Sequence, residues 1–411
     1  MTAELEGWAP LPVETAPPLA GAVDALLAWA AQQGAWFEPI AIAVAPDGNR
    51  GVVTRRAVAA GEPLVVVPRP LLVTDVDVAA HPAVAPLVPH QDRLASRHSL
   101  MARWLVSERA DPASRWRPYV DALPPWFPGL PLHRPAAQLA GLAGTAALAA
   151  IVALAEGYRG DHALLEGVAP GGPALAAFAW GRAVAGSRCY SIAGADGSCR
   201  ALVPVADMFD HGAPDARWGY DDARQQFEVV AARDLAAGAP VTISYGQHEN
   251  ARLLSAYGFA IADNPDDEVV IHLPGHAGPR ALPIGSVYDP RFQLAMATAL
   301  AWPDTTDADA LHRIAAAAMD RGATIATVAA AAADDDPAWA TLCAVVRASE
   351  RAIVPAIAAF VDEVTRGGCD RPVAAWRAVV DAIAPDAVGA ARLMRSFAQV
   401  AIDHARPGAA D

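Results

Sequence analysis

Apolar residues recur in two rhythms along this chain. Over residues 21–33 (GAVDALLAWAAQQ) they fall at the spacing of a short amphipathic helix. The following segment, AWFEPIAIAVAPDGNRGVVTRRAVAAGEPLVVVPRPLLVT, changes to short β-branched runs. Turn signals at Asp47-Gly48-Asn49, at Gly61-Glu62 and at Pro68 divide it, which predicts three or four short strands. From residue 75 to about 190 the helical rhythm returns, in SLMARWLVSERA and again from Pro135 to Glu156. Pro118, Pro124, Pro125 and Pro128 break the run between them. Strand signals come back between Arg200 and His272, in FEVVAARDL, APVTISYG and EVVIHL. After Pro290 the chain is Ala-rich and helical to its end, with breaks near Asp334–Pro337, at Gly367-Gly368 and at Pro385. No fixed-period repeat is present.

The order is therefore strands, helices, strands, helices, an α+β chain. The first β piece, about 40 residues, is too short to bury a good core alone. Both β pieces are expected to join one core across a helical insertion. The predicted organisation is a leader and short helix at 1–35, the first core piece at 36–75, the insertion at 76–185, the second core piece at 186–275 and a helical C-terminal domain at 276–411.

Composition narrows the function. Of 411 residues, 54% are hydrophobic and 18% charged, which excludes wholesale disorder. A net charge of −14 makes a poor grip for a phosphate backbone, so no nucleic-acid partner is expected. Every cationic side chain other than histidine is arginine; the sequence holds no lysine, in keeping with its Ala, Arg, Gly and Pro bias. The four cysteines form no CxxC pair and no His pair sits at finger spacing, which argues against structural zinc and points to a reducing cytoplasm. The N-terminus (MTAELEGWAP) carries no signal-peptide pattern. Residues 136–155 are uncharged, but they are rich in Ala and Gly and lack aromatic anchors, so helices packed within the fold are expected rather than a membrane span.

Three polar clusters could carry chemistry. LVPVADMFDHG (202–212) sets Asp207, Asp210 and His211 just after a buried strand. A turn with satisfied polar groups and a metal site are both open readings, although Asp207 and His211 lack the helical context that would face one ion. VTISYGQHENARLLSAYGFAIADNP (241–265) ends a strand at Tyr245-Gly246, carries a short helix from Asn250 to Ala256, and then places Tyr257-Gly258-Phe259. Its two tyrosines suit either a core or a pocket with aromatic walls and polar tips. Asp47-Gly48-Asn49-Arg50-Gly51 is neither a dinucleotide fingerprint nor a P-loop.

Five segments in order resemble the SET-domain protein methyltransferases, in the branch of the Rubisco large-subunit lysine methyltransferase and the actin histidine methyltransferase. They are GNRGVVTRRAVAAGEPLVVVPRPLLVT, LMARWLVSERADPASRWRPYVDALP, FAWGRAVAGSRCYSI, LVPVADMFDHG and ISYGQHENARLLSAYGFAIADNP. The resemblance implies a β-rich SET core split by a helical insertion, with knot-like threading near the site, and an all-helical C-terminal domain that docks a protein substrate. It implies S-adenosylmethionine as methyl donor and no metal. Gly48, Asn49 and Arg50 fall where the family's first loop cradles that donor. Arg188 matches an arginine that contacts it, and Asp210 and His211 stand at the family's Asn-His pair. Tyr245 matches the catalytic tyrosine. Tyr257 and Phe259 match aromatics beside the donor and the transfer channel, which Tyr190, Tyr245 and Tyr257 would line.

The chief departure is Asp210 in place of the family's Asn. A carboxylate only accepts hydrogen bonds, so it would repel the methyl donor's carboxylate or bind its ammonium better. The expected activity is methyl transfer to a lysine, or less readily a histidine, of a protein. Two rivals stand beside it: a SET-like protein-binding module that has lost its donor through Asp210, and methylation of a small amine.

Overall fold

The computed structural model describes residues 5–13, 21–44, 50–127, 129–194, 197–273, 280–285, 322–323, 325–326 and 336–366. The chain divides into two compact units, Met1–Ala140 with Ala147–Ala260, and Gly141–Ala146 with Ile261–Asp411. The β core and the helical insertion therefore make one unit.

Before the insertion come helix α1 (Ala22–Gln32) and strands β1 (Ile40–Val44), β2 (Arg50–Thr54), β3 (Pro63–Pro68) and β4 (Val73–Thr74). Helix α1 buries Ala22, Leu26 and Ala30, one face at a four-residue spacing. The insertion holds α2 (Asp75–Ala79), α3 (His98–Ala110), α4 (Arg117–Ala122), α5 (Ala136–Leu139), α6 (Ala146–Val168) and α7 (Leu175–Arg188). After it come β5 (Tyr190–Gly194), β6 (Gly197–Leu202), β7 (Asp210–His211), β8 (Ala216–Asp221), β9 (Gln226–Ala231) and β10 (Pro240–Ile243). The uncharged stretch 136–155 is divided between α5, a short 3-10 turn and α6. No described helix is long and apolar enough to cross a membrane.

Three small sheets carry the core, in the orders β1-β2-β10-β7, β3-β9-β8 and β4-β6-β5. Each joins strands from before and after the insertion, so neither β piece has a sheet of its own. In the first sheet Val52 pairs with Val241 across an antiparallel contact, and β7 runs parallel to β10 with His211 opposite Ile243. In the second, the run Pro63-Leu-Val-Val-Val-Pro68 packs its β-branched side chains inward against β9. A cluster of Trp29, Trp104 and Trp116, with ring centroids 5.7 and 5.8 Å apart, ties α1 to the insertion.

Helix α7 is set against α3 through Gly181. A Cβ there would stand 2.8 Å from the Ala102 carbonyl oxygen, so only glycine permits this approach. That packing fixes the C-terminal end of α7, where Arg188 sits.

In the second unit, β11 (Glu268–Leu273) and β12 (Arg280–Gly285) form an antiparallel hairpin, and α9 (Pro337–Arg366) is a long helix. The hairpin crosses the boundary expected at 275/276, so the region after it is not helical from its first residues. EVVIHL reads as a strand, but its partner RALPIG carries a proline and gives no alternation. Helix α9 starts and stops where Asp336-Pro337 and Gly367-Gly368 predict.

Candidate active site

The expected site residues come from five parts of the first unit, with Tyr190 opening β5. Arg50 opens β2, Arg188 closes α7, Asp210 and His211 form β7, and Tyr245, Tyr257 and Phe259 follow β10. Gly48 and Asn49 lie outside the described residues.

The loop from β6 to β7 makes the sharpest turn. Val205 is buried with φ 69°, a conformation costly for a β-branched residue, and it opens the turn Ala206–Met208. That turn points Asp207 inward. Its Oδ2 accepts a 2.9 Å hydrogen bond from the Tyr119 hydroxyl of α4 and lies 3.5 Å from Arg188 Nη1. Arg188 Nη1 also donates to the Asp207 carbonyl at 2.6 Å. Arg50 donates from its own guanidinium to the Ala122 carbonyl. Burial pushes the Asp207 carboxyl up, and the Arg188 charge pulls it back. Burial lowers Arg50, and the neighbouring Arg188 charge adds to this. Asp207 Oδ1 and Arg188 Nε are both buried without a hydrogen-bond partner.

Asp210 leaves this buried network and faces solvent. Its Oδ2 lies only 2.7 Å from where a Cβ on Gly51 would stand. Desolvation raises its pKa, with Arg188 opposing. His211 Nδ1 accepts a 3.0 Å bond from the Tyr245 backbone N–H, which leaves the ring proton on Nε2. The His211 ring also stacks on Phe259 with centroids 5.7 Å apart.

Tyr245 is the hinge of the arrangement. Its hydroxyl donates to the Phe209 carbonyl at 2.7 Å, and its ring lies 5.2 Å from His211 and 5.1 Å from Tyr257. Burial pushes its pKa well above the ordinary tyrosine range, so it is a neutral phenol at physiological pH. Tyr190 is also buried, with its hydroxyl donating to the Ala206 carbonyl at 2.6 Å.

Tyr257 and Phe259 are placed by a feature the sequence reading missed. The expected helix from Asn250 to Ala256 is α8 (Asn250–Arg252) followed by a π-helical turn, Leu253–Tyr257. Gly258 ends it with φ 84°, and its Cβ position lies 2.7 Å from the Gly129 backbone carbon. Two glycine backbones thus touch beneath the aromatic pair. Gly258→Ala is expected to cost about 1–3 kcal/mol of stability from strain and overpacking. Urea unfolding checks this; a loss under about 0.5 kcal/mol would mean the turn tolerates a side chain.

A cavity of about 180 Å³ opens beside Tyr245. Tyr190, Tyr245, Tyr257 and Arg188 line it, whereas Arg50, Asp210, His211 and Phe259 do not. The expected residues therefore fall into two groups: Tyr190, Tyr245, Tyr257 and Arg188 around the cavity, and Arg50, Asp210, His211 and Phe259 outside its lining. Residues not singled out from the sequence also face the cavity, among them His98, Arg200 and Arg252. Tyr119 stood in the recognised segment WRPYVDALP, but nothing in its spacing marks its reach to Asp207. Among the described residues no group of three His, Cys, Asp or Glu side chains is placed to hold a metal.

The chain is similar to several known proteins. The SET domain family matches residues 49–246. Actin-histidine N-methyltransferase of Canis lupus familiaris is 30% identical over 263 residues, covering 60% of this chain and 44% of that protein. Its Danio rerio counterpart is 29% identical over 270 residues, covering 62% and 45%. This chain thus spans less than half the length of either relative. Among solved structures, the SET domain of LSMT bound to lysine and AdoHcy superposes with a TM-score of 0.67 at 17% identity, over 85% of this chain and 92% of that one. Rubisco LSMT bound to AdoMet gives 0.65 at 17% identity, over 84% and 92%. Residues 49–246 match the SET domain family, and the chain shares its fold with the SET domain of LSMT.

Proposed function

We propose that this protein is an S-adenosylmethionine-dependent protein N-methyltransferase acting on a lysine side chain. The observation that carries the reading is Tyr245, which lines an aromatic cavity and whose ring also lies against His211, beside the donor-type polar groups. These groups suit the donor's chemistry. Arg50 and Arg188 offer guanidiniums for a carboxylate, Asp210 offers a carboxylate for an ammonium, and the stacked His211–Phe259 pair offers ring faces for a base. The buried, unpartnered Arg188 Nε leaves hydrogen-bonding capacity there. Gly48 and Asn49 belong to the same group on the family resemblance. S-adenosylmethionine supplies a methyl group on a cationic sulfonium.

The protein's part is alignment and desolvation. A lysine amine must be neutral to attack, which costs about 4–5 kcal/mol at pH 7 from a pKa near 10.4. Tyr245, a neutral phenol, is not the base that removes this proton. Its proton is committed to the Phe209 carbonyl, so its oxygen lone pairs are left for an N–H or a polarised methyl entering the cavity. The tyrosine walls favour a cationic amine before deprotonation, and nearby guanidiniums lower its pKa. A histidine acceptor needs less adjustment and is the alternative outcome. The C-terminal unit is proposed to dock the substrate protein. Free thiols at Cys189, Cys199 and Cys343 suit a reducing, cytoplasmic setting.

The test is transfer of labelled methyl from S-adenosylmethionine to proteins of a source lysate, with the hydrolysate analysed for methyl-lysine and methyl-histidine. Label in methyl-lysine is expected. Label in methyl-histidine would move the acceptor, and no protein label would overturn the activity. A binding module without catalysis is the second reading, and it rests on Asp210. Asp210→Asn discriminates: if the carboxylate holds the donor's ammonium, the variant binds S-adenosylmethionine about 5- to 10-fold more weakly. The raised Asp210 pKa gives a sign for pH. Donor affinity falls as pH drops through that pKa and the carboxylate protonates, whereas Asp210→Asn shows no such fall. Tighter binding by the variant would mean that Asp210 faces the donor's carboxylate.

A further inference from the structure

Two arginines stand at the opening of the aromatic cavity without a carboxylate of their own. Arg200 comes from β6 and Arg252 from α8; both are exposed, and both line the cavity. Neither makes an ion pair with any described residue. Asp75 accepts from the Arg200 backbone N–H at 3.3 Å, which engages the main chain and not the guanidinium. Arg252 lies close enough to Tyr257 for its charge to lower the Tyr257 pKa, and both line the cavity. A third arginine, Arg182, is buried 3.9 Å from Asp161 and is already matched. The charges converge on His98, at the start of α3. Burial first, then Arg182, Arg200 and Arg252, hold its pKa down to about 3. His98 therefore adds no charge beside Arg200 and Arg252.

Arg200 and Arg252 thus present two exposed guanidiniums at one cavity of a chain with net charge −14. The overall field favours basic partners at long range, but it is screened beyond about 8 Å at physiological salt. At contact the local pair decides. Two guanidiniums from separate elements can close on one carboxylate with charge-assisted hydrogen bonds. We propose that the substrate segment carries an acidic side chain beside the methylated residue, held at the cavity mouth by Arg200 and Arg252. The proposal rests on the protein-methyltransferase reading and specifies its substrate class.

The test uses fluorescence anisotropy with labelled peptide pools and the full chain, with S-adenosylhomocysteine present so that nothing turns over. Each pool has a central lysine, with Glu, Gln or Arg fixed at the two positions on either side and random residues beyond. A parallel set has central histidine. The Glu pool is expected to bind about 10-fold more tightly than the Gln pool, with the Arg pool weakest. In Arg200→Gln/Arg252→Gln the Glu advantage is expected to shrink to about 2-fold or less. Non-specific attraction to an acidic protein would give the opposite order. An Arg pool that binds as tightly as the Glu pool, a Glu preference that survives the double variant, or no binding by any pool would each overturn the proposal. Failure of S-adenosylhomocysteine itself to bind, read by calorimetry, would instead count against the methyltransferase reading.

Discussion

Tyr245→Phe is expected to lower methyl transfer by about 100- to 1,000-fold, the loss seen when one preorganised polar group is removed from a reacting centre. The tyrosine oxygen is positioned from three sides. The Phe209 carbonyl takes its proton at 2.7 Å, and the His211 and Tyr257 rings flank its own ring at 5.2 and 5.1 Å. Phenylalanine keeps the ring contacts and removes only the oxygen. Donor affinity should therefore change less than about 3-fold, and stability should fall by about 1 kcal/mol for one lost hydrogen bond. Single-turnover kinetics beside calorimetry separate these quantities. Equal loss of turnover and donor binding would make Tyr245 a structural residue.

Removing Asp207 should have the largest effect on stability. Asp207→Ala takes the partner from a half-buried Arg188 and the acceptor from the buried Tyr119 hydroxyl. Breaking a buried pair on one side costs about 3–5 kcal/mol, because the remaining charge is left uncompensated. Tyr119→Phe leaves the ion pair and removes one hydrogen bond, with an expected cost of about 1–3 kcal/mol. The two changes share a partner, so their effects should not add. Denaturant unfolding of the single and double variants measures this. An Asp207→Ala loss below about 1 kcal/mol would mean that solvent already reaches the network.

The periodicity of the sequence located α1, α3, β3, β9 and β10, because their apolar faces pack on one core. The need for both β pieces to share that core was also legible, since neither could bury a sheet alone. What stayed hidden depends on contacts between distant segments. Tyr119 reaches Asp207 across 88 positions of sequence, and no local pattern encodes that approach. The π turn at Leu253–Tyr257 carries an ordinary helical composition, and its close glycine contact comes from Gly129, far away in sequence. No sequence pattern marks Arg200 or Arg252, and only the folded cavity brings them together. The hairpin at β11 and β12 lies across the expected domain boundary because a proline-bearing strand lacks the alternation that would have marked it.

Calorimetric titration of the wild-type protein with S-adenosylmethionine tests the central claim most directly. The arrangement of Arg50, Arg188, Asp210, His211 and Phe259 predicts one-to-one binding in the micromolar range, about −8 kcal/mol. Absence of binding by both the wild type and Asp210→Asn, with the protein folded, would contradict the assignment of these residues to a methyl donor.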